Sequence, residues 1–285
     1  MSRQLIGLGI ILAAVIAPLN AQWLNYPEPG TPLTPGGGPN LTGKTPRVSS
    51  GKPDLSGVWH MEPLDPAVVK RRRANPGVGS VVGDEGEELS PYFGNIFSGF
   101  KRGEEPITPE AAALTRKNAA QRDRLDSPTT KCLPYGLPNR YFHFRPFKIF
   151  QTANEIAMFF EVDGAFRQIH TDGRPLPVDP FPSWMGYSTG KWDGDTLVAE
   201  TTGFNDLSWL DAGGHPHSEA LKVTERLHRR DFGHMDVETT VEDPKMLTKP
   251  VTIRFTLVLI PNSDILESFC AEGERDAGRV GGAAK

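Results

Sequence analysis

From Phe147 to Cys270 the chain alternates apolar and polar residues with a period of two, and short turn signals interrupt the alternation. Met235, Val237, Thr239 and Val241 oppose Asp236, Glu238, Thr240 and Glu242, while Val251, Ile253, Phe255, Leu257 and Leu259 share one face. Successive side chains of a strand point to opposite sides, so this pattern describes antiparallel sheet with one face packed and one wet. Asp163-Gly164 falls between apolar-rich runs at 156–162 and 165–171, and Asp193-Gly194 between 186–192 and 195–202. An Asp-Gly pair in that setting is a strong hairpin signal. Further strands are expected at 220–230, 234–242, 250–260 and 264–271. Roughly eight to ten strands joined by short turns favour an up-and-down β-barrel or a strongly curled sheet, with a β-sandwich as the rival.

The rest of the chain adds little to such a core. Residues 62–131 are charged and Pro-rich, with one helix expected at 108–125: Thr108 can cap it, Pro109 suits its first position and Glu110 its positive end. Its thin apolar face (Ala112, Leu114, Ala119) places it on the outside of the barrel. The expected class is therefore all-β with one peripheral helix, in a single domain over 54–275. Gly57 followed by Trp59 on a first strand resembles the opening of lipocalin- and calycin-like barrels, where the Trp plugs one end.

Residues 22–53, dense in Pro, Gly, Thr and Asn, read as a flexible arm, and 276–285 as a disordered tail. Residues 1–21 combine Arg3, an apolar run over 5–17 and a small residue at Ala21, which is the pattern of a cleaved signal peptide. That expectation puts the mature chain in the periplasm or outside the cell. No later run is long and apolar enough to span a bilayer. In an oxidising compartment Cys132 and Cys270 would form one disulfide, two buried thiols being the alternative. The formal net charge of −4 leaves no electrostatic footprint for nucleic acid, and the Lys70–Arg73 cluster reads as a solvated loop.

The binary pattern breaks in informative places. Glu225 lies on the apolar face set by Leu221, Val223 and Leu227. A two-residue Asp163-Gly164 turn would set Phe160 opposite Arg167 and Met158 opposite Ile169, so Arg167 points where those apolar residues point. Buried charges are rarely left alone, and a Glu225–Arg167 pair inside the barrel follows. It would serve either as a barrel-closing contact or as the polar floor of a ligand site, with Glu225 as acid or base.

The long loop 203–219 holds Asn205, Asp206, Trp209, Asp211, His215 and His217, the mixture expected where function sits. His217 oriented by Asp211 or Asp206 would do acid–base work near neutral pH. His215-x-His217 alone is a weak chelate and no metal motif supports it, so no metal is assigned. A third cluster holds Asp172, Arg174 and Trp184. No nucleophile elbow, phosphate loop or dinucleotide fingerprint is present, and no cofactor is expected.

The ordered set Asp54-Leu55-Ser56-Gly57-Val58-Trp59, Cys132-Leu133-Pro134-Tyr135-Gly136-Leu137-Pro138, Asp172-Gly173-Arg174, Trp192-Asp193-Gly194-Asp195-Thr196-Leu197-Val198, Gly203-Phe204-Asn205-Asp206, Trp209-Leu210-Asp211, Pro216-His217-Ser218 and Glu225-Arg226 resembles a family of exported bacterial proteins with no settled activity. The resemblance implies export and a shared site on the strand ends and the 203–219 loop, and it transfers no catalytic role. Two functions follow. One is a barrel binding a small, partly apolar molecule, walled by Trp184, Trp192 and Trp209. The other is a lyase, isomerase or hydrolase on the same scaffold, with His217 as acid–base group, Asp211 as its orienter, and Arg167, Arg174 or Glu225 steering the substrate.

Overall fold

The computed structural model describes residues 28–63, 92, 94–101, 103–121, 128, 131–143 and 145–270. Among them nine strands close a barrel in chain order: β1 (Gly57–Met61), β2 (Phe147–Gln151), β3 (Glu155–Phe160), β4 (Phe166–His170), β5 (Tyr187–Asp193), β6 (Thr196–Thr202), β7 (Lys222–Arg229), β8 (His234–Glu242) and β9 (Val251–Leu259). β9 pairs back onto β1 through Trp59↔Leu259 and Met61↔Leu257. The alternation in β8 and β9 is realised residue by residue, with Met235, Val237, Val241, Val251, Ile253, Phe255, Leu257 and Leu259 buried. The all-β barrel with one helix is therefore as expected.

One feature departs from an up-and-down meander. β4 and β5 are parallel, and they share only Ile169↔Ser188 and His170↔Thr189. A parallel pair needs a crossover, and residues 171–186 supply it by carrying the chain back to the end where β4 began. The connections β1–β2, β3–β4, β6–β7 and β8–β9, together with the start of β5, consequently meet at one end of the barrel. The helix α1 (Pro109–Gln121) and a 3-10 turn (Asn139–Phe142) belong to the first of these connections.

The Asp163-Gly164 hairpin differs from expectation in register. Phe159 pairs with Phe166 and Met158 with Arg167, because Val162 leaves the ladder to bridge Ser268 and residues 161–164 together make the connection, Phe160 N–H donating to the Ala165 carbonyl (2.9 Å). The slip is two residues, an even number, so Arg167 stays on the inward face. In the second hairpin Asp193 pairs with Thr196, leaving Gly194 and Asp195 as the turn. Over its described part, 264–270, the strand expected at 264–271 is replaced by a segment that makes one isolated bridge and joins no ladder of the barrel. It is held by the Ser268 bridge, by Leu266 N–H on Glu161 (3.1 Å) and by Lys148 on Asp264 (2.9 Å).

The opposite end is closed by Trp59. Its indole N–H donates to the Leu55 carbonyl (3.0 Å), and the Arg229 guanidinium lies 4.9 Å from its ring centroid. Arg229 also donates to the carbonyls of Asp54, Ser56 and Phe232, so this buried cation is spent on backbone oxygens. The segment 28–53 is not loose against this end. Glu28 N–H donates to the Pro261 carbonyl, the N–H groups of Phe232 and Gly233 donate to the carbonyls of Gly43 and Leu41, Thr45 bonds the Arg229 carbonyl, and Arg47 forks onto Asp195. A flexible arm was expected from composition; the barrel surface supplies partners that composition does not show. The expected signal peptide, the Lys70–Arg73 cluster, residues 122–125 of the expected helix and the tail lie outside the described residues.

Thr108 caps α1 by accepting from Ala111 N–H (3.2 Å), and its own N–H and hydroxyl bond the carbonyls of Met246 and Lys245. The helix is thereby anchored on the β8–β9 connection. Cys132 and Cys270 form a disulfide 138 residues apart in sequence, tying the first connection to the C-terminal segment. For a loop of that length the chain-entropy model gives about 5 kcal/mol, an upper figure. Replacing both cysteines by serine is expected to lower the urea midpoint while leaving the far-ultraviolet strand signal intact. An unchanged midpoint would show that the link constrains nothing.

Candidate functional site at one end of the barrel

Arg167, inward on β4, and Glu225, inward on β7, form an ion pair across the barrel interior, with side-chain exposures of 1% and 0%. The guanidinium also donates to Ser188 of β5 (3.1 Å), Thr201 of β6 (2.9 Å) and the Tyr141 hydroxyl (3.0 Å). Burial pulls the Arg167 pKa down most strongly of any single cause, but the charges and hydrogen bonds of Glu225 and Tyr141 together outweigh it and the net direction is up. Tyr141 is pushed well above its ordinary value, first by burial and then by the Glu225 charge. Glu225 Oε1 and the hydroxyl of Thr239, its direct neighbour across β7–β8, have no hydrogen-bond partner among the described residues. Met158, which opposes Arg167 on β3, has no exposed surface, nor have Ile169 on β4, Leu197 on β6 and Val223 on β7. The expected pair exists, therefore, and it sits in packed interior.

Loop 203–219 lies above it, with its two histidines in separate arrangements. His215 Nδ1 is 2.6 Å from Asp211 Oδ2, and Asp211 is held in turn by the N–H groups of Ile96 (2.7 Å) and His215 (3.3 Å). The carboxylate makes Nδ1 the protonated nitrogen and leaves Nε2 the basic one. Nε2 carries no hydrogen bond among the described residues, the side chain keeps 11% of its surface, and Phe97 packs edge-on at 4.8 Å. His217 is turned inward. Its Nδ1–H donates to the Ser218 carbonyl (3.2 Å), and its Nε2 accepts from Ser208 Oγ (2.8 Å). Asp243 fixes Ser218 through its N–H (2.6 Å) and hydroxyl (2.9 Å). Gly136 lies directly over Ser208: a Cβ there would come within 2.5 Å of Oγ.

Asp211 thus orients His215, whereas the sequence reading gave it to His217. Asp206 is exposed and reaches His217 only through its charge. Asn205 uses its side chain to cap Leu207 N–H (3.2 Å). Trp209 and Trp184 are half-buried at this end, while Trp192, 6.0 Å from the Lys52 ammonium, belongs to the other. Arg174 is exposed on the crossover and forks onto Asp172, whose pKa falls to about 2 through those hydrogen bonds. Site end and interior together thus hold His215, His217, Asp211, Asp206, Asn205, Trp209, Trp184, Arg167 and Glu225, and Arg174 stands apart. A groove of about 450 Å³ lies elsewhere, on the outside of β6–β9, lined by Arg226, His228, Asp236, Glu238 and Arg254.

Sequence reasoning missed Tyr141, Ser208, Asp243 and the neighbouring pair Asn139–Arg140. Only Ser208 carried a usable signal, its place in the functional loop. No three His, Cys, Asp or Glu side chains among the described residues group as metal ligands, and no described helix is long and apolar enough to cross a membrane. Comparison with models of known families finds no match, and comparisons with curated proteins and with solved structures find none either.

Burial holds His217 below its usual pKa, and burial together with the Arg140 charge holds His143 down to about 3. The unfolded chain binds those protons near pH 6.5, so between the folded values and about 6.5 it carries more protons than the fold. The stabilisation is complete above about pH 6.5 and is lost as pH falls, by at most about 1.4 kcal/mol per pH unit for each histidine. Urea midpoints at pH 7, 5 and 4 are expected to fall steadily, and to fall less steeply in His217→Gln and His143→Gln. Parallel curves for all three proteins would contradict this.

Proposed function

We propose that the protein takes up a small, partly apolar molecule at the barrel end walled by loop 203–219 and performs general acid–base chemistry on it with His215. The reaction is of the lyase, isomerase or hydrolase type. One observation carries the reading: Asp211 fixes the His215 ring through Nδ1 while Nε2 stays unengaged. A base needs that arrangement, because proton transfer requires both a set tautomer and a nitrogen within reach of the substrate. His217 meets the first condition only, since Ser208 occupies its Nε2. The half-buried Trp184 and Trp209 supply apolar surface for the molecule's body, in keeping with sites that are mainly apolar with few polar groups.

The setting is an exported one in this reading. The Cys132–Cys270 disulfide supports it, since such links persist in oxidising compartments.

The test is untargeted mass spectrometry of a metabolite extract incubated with wild-type protein and with His215→Gln. One compound is expected to be consumed as one or two others appear whose masses sum to its own, or to its own plus one water. The conversion should slow by about 10²–10⁴-fold in His215→Gln, the range general acid–base groups supply, and Asp211→Asn should slow it too. A compound retained by the protein but left unchanged would favour binding without turnover. Conversion at equal rates in both proteins would remove His215 from the chemistry.

A further inference from the structure

Arg140 is the most poorly satisfied charge among the described residues. It sits in the 3-10 turn before β2, at the same barrel end as loop 203–219, and its side chain is 1% exposed. None of its three side-chain nitrogens makes a hydrogen bond among the described residues. The rings of Tyr135 and Phe160 lie 5.5 and 5.1 Å from the guanidinium carbon, which fixes the plane of the group without using its N–H donors. Asp163 is 3.6 Å away across the β3–β4 turn, a charge contact without a hydrogen bond, and its Oδ2 is also unpartnered. Burial lowers the Arg140 pKa and raises that of Asp163, so each ion is held at a cost the pair does not recover. By contrast, the buried Arg167 and Arg229 both spend their N–H groups on oxygen acceptors.

A buried guanidinium with five unused donors in a fixed fork matches a planar or tetrahedral oxyanion. We propose that Arg140 is an anion-recognition residue, that the molecule taken up at this end carries a carboxylate or phosphate, and that Asp163 holds its place until that anion displaces it. The inference rests on the proposed uptake of a small molecule at this barrel end, and it narrows that molecule to an anion. The link to the loop is covalently short: the neighbouring Asn139 donates from Nδ2 to the Trp209 carbonyl (3.1 Å), and its Oδ1 is unpartnered as well. Displacement needs only the turn to move, since Asp163 is a turn residue with 11% of its side chain already exposed.

The test uses acetate and inorganic phosphate as probes, titrated against chloride at equal ionic strength. The readout is the Arg140 Nε–Hε cross-peak in ¹⁵N-labelled protein, assigned by its loss in Arg140→Lys. Asp163→Asn removes the internal competitor and is expected to fold, because asparagine tolerates the positive φ of that turn. Acetate or phosphate should shift the cross-peak saturably, about tenfold more tightly in Asp163→Asn than in wild type, and chloride should not. Whichever probe binds more tightly identifies the anion as carboxylate or phosphate. Absence of a saturable shift in both proteins, or equal affinities in the two, overturns the proposal. The titration should be unchanged in His215→Gln, so failure of the acid–base reading and failure of the anion site are read separately.

Discussion

Inside the barrel, one guanidinium touches four other elements. Arg167 leaves β4 and reaches Ser188 on β5, Thr201 on β6, Glu225 on β7 and Tyr141 in the 3-10 turn. It does so beside the weakest seam of the barrel, where β4 and β5 share two residue pairs in parallel. Backbone pairing there is too short to define the closure, and the side-chain network spans what the ladder does not. A buried ion pair adds little net stability over an apolar substitute, but breaking it by removing one partner costs about 3–5 kcal/mol. Its role is geometric. It holds the two sides of the seam at one separation, and through Tyr141 it holds the turn that carries Asn139 and Arg140.

The consequences gather at one end of the molecule. The crossover forced by the parallel pair brings the start of β5 to the end where four other connections already meet. Loop 203–219 therefore lies between α1, the 3-10 turn and the β8–β9 connection, and each contributes a fastening: Asn118 on the Gly214 carbonyl, Asn139 on the Trp209 carbonyl, Asp243 on Ser218. A long loop so fastened can hold two histidines of opposite character. His217 is sunk and spent on Ser208, while His215 is oriented by Asp211 with one nitrogen unengaged.

Much of this was legible in the sequence because period-two alternation reports a face directly. The inward placement of Arg167 survived a wrong turn assignment, since the slip at Asp163-Gly164 was even. Glu225 stood out for the same reason, as a charge on an apolar row. What the pattern could not reveal was the partner of each loop residue. Asp211 lies four residues before His215 and six before His217, and only the folded path of the loop selects the nearer ring. Tyr141 and Arg140 sit in a Pro-rich stretch with no periodicity, so nothing marked them as inward. The ordered arm over 28–53 was hidden because its partners are carbonyls and side chains of the barrel, which composition does not contain. The segment 264–270 reads as a strand by residue type, yet Asp264 and Ser268 are drawn to Lys148 and Val162 instead of a ladder.

The central claim is that the Arg167–Glu225 contact closes the barrel as a unit. A double-mutant cycle in urea, with Arg167→Met, Glu225→Leu and the two combined, tests it most directly. Each single change is predicted to cost about 3–5 kcal/mol by stranding the other charge, and the double variant much less than their sum. Losses that add to within about 0.5 kcal/mol would show the two side chains to be independent, and the seam would then owe its closure to something else.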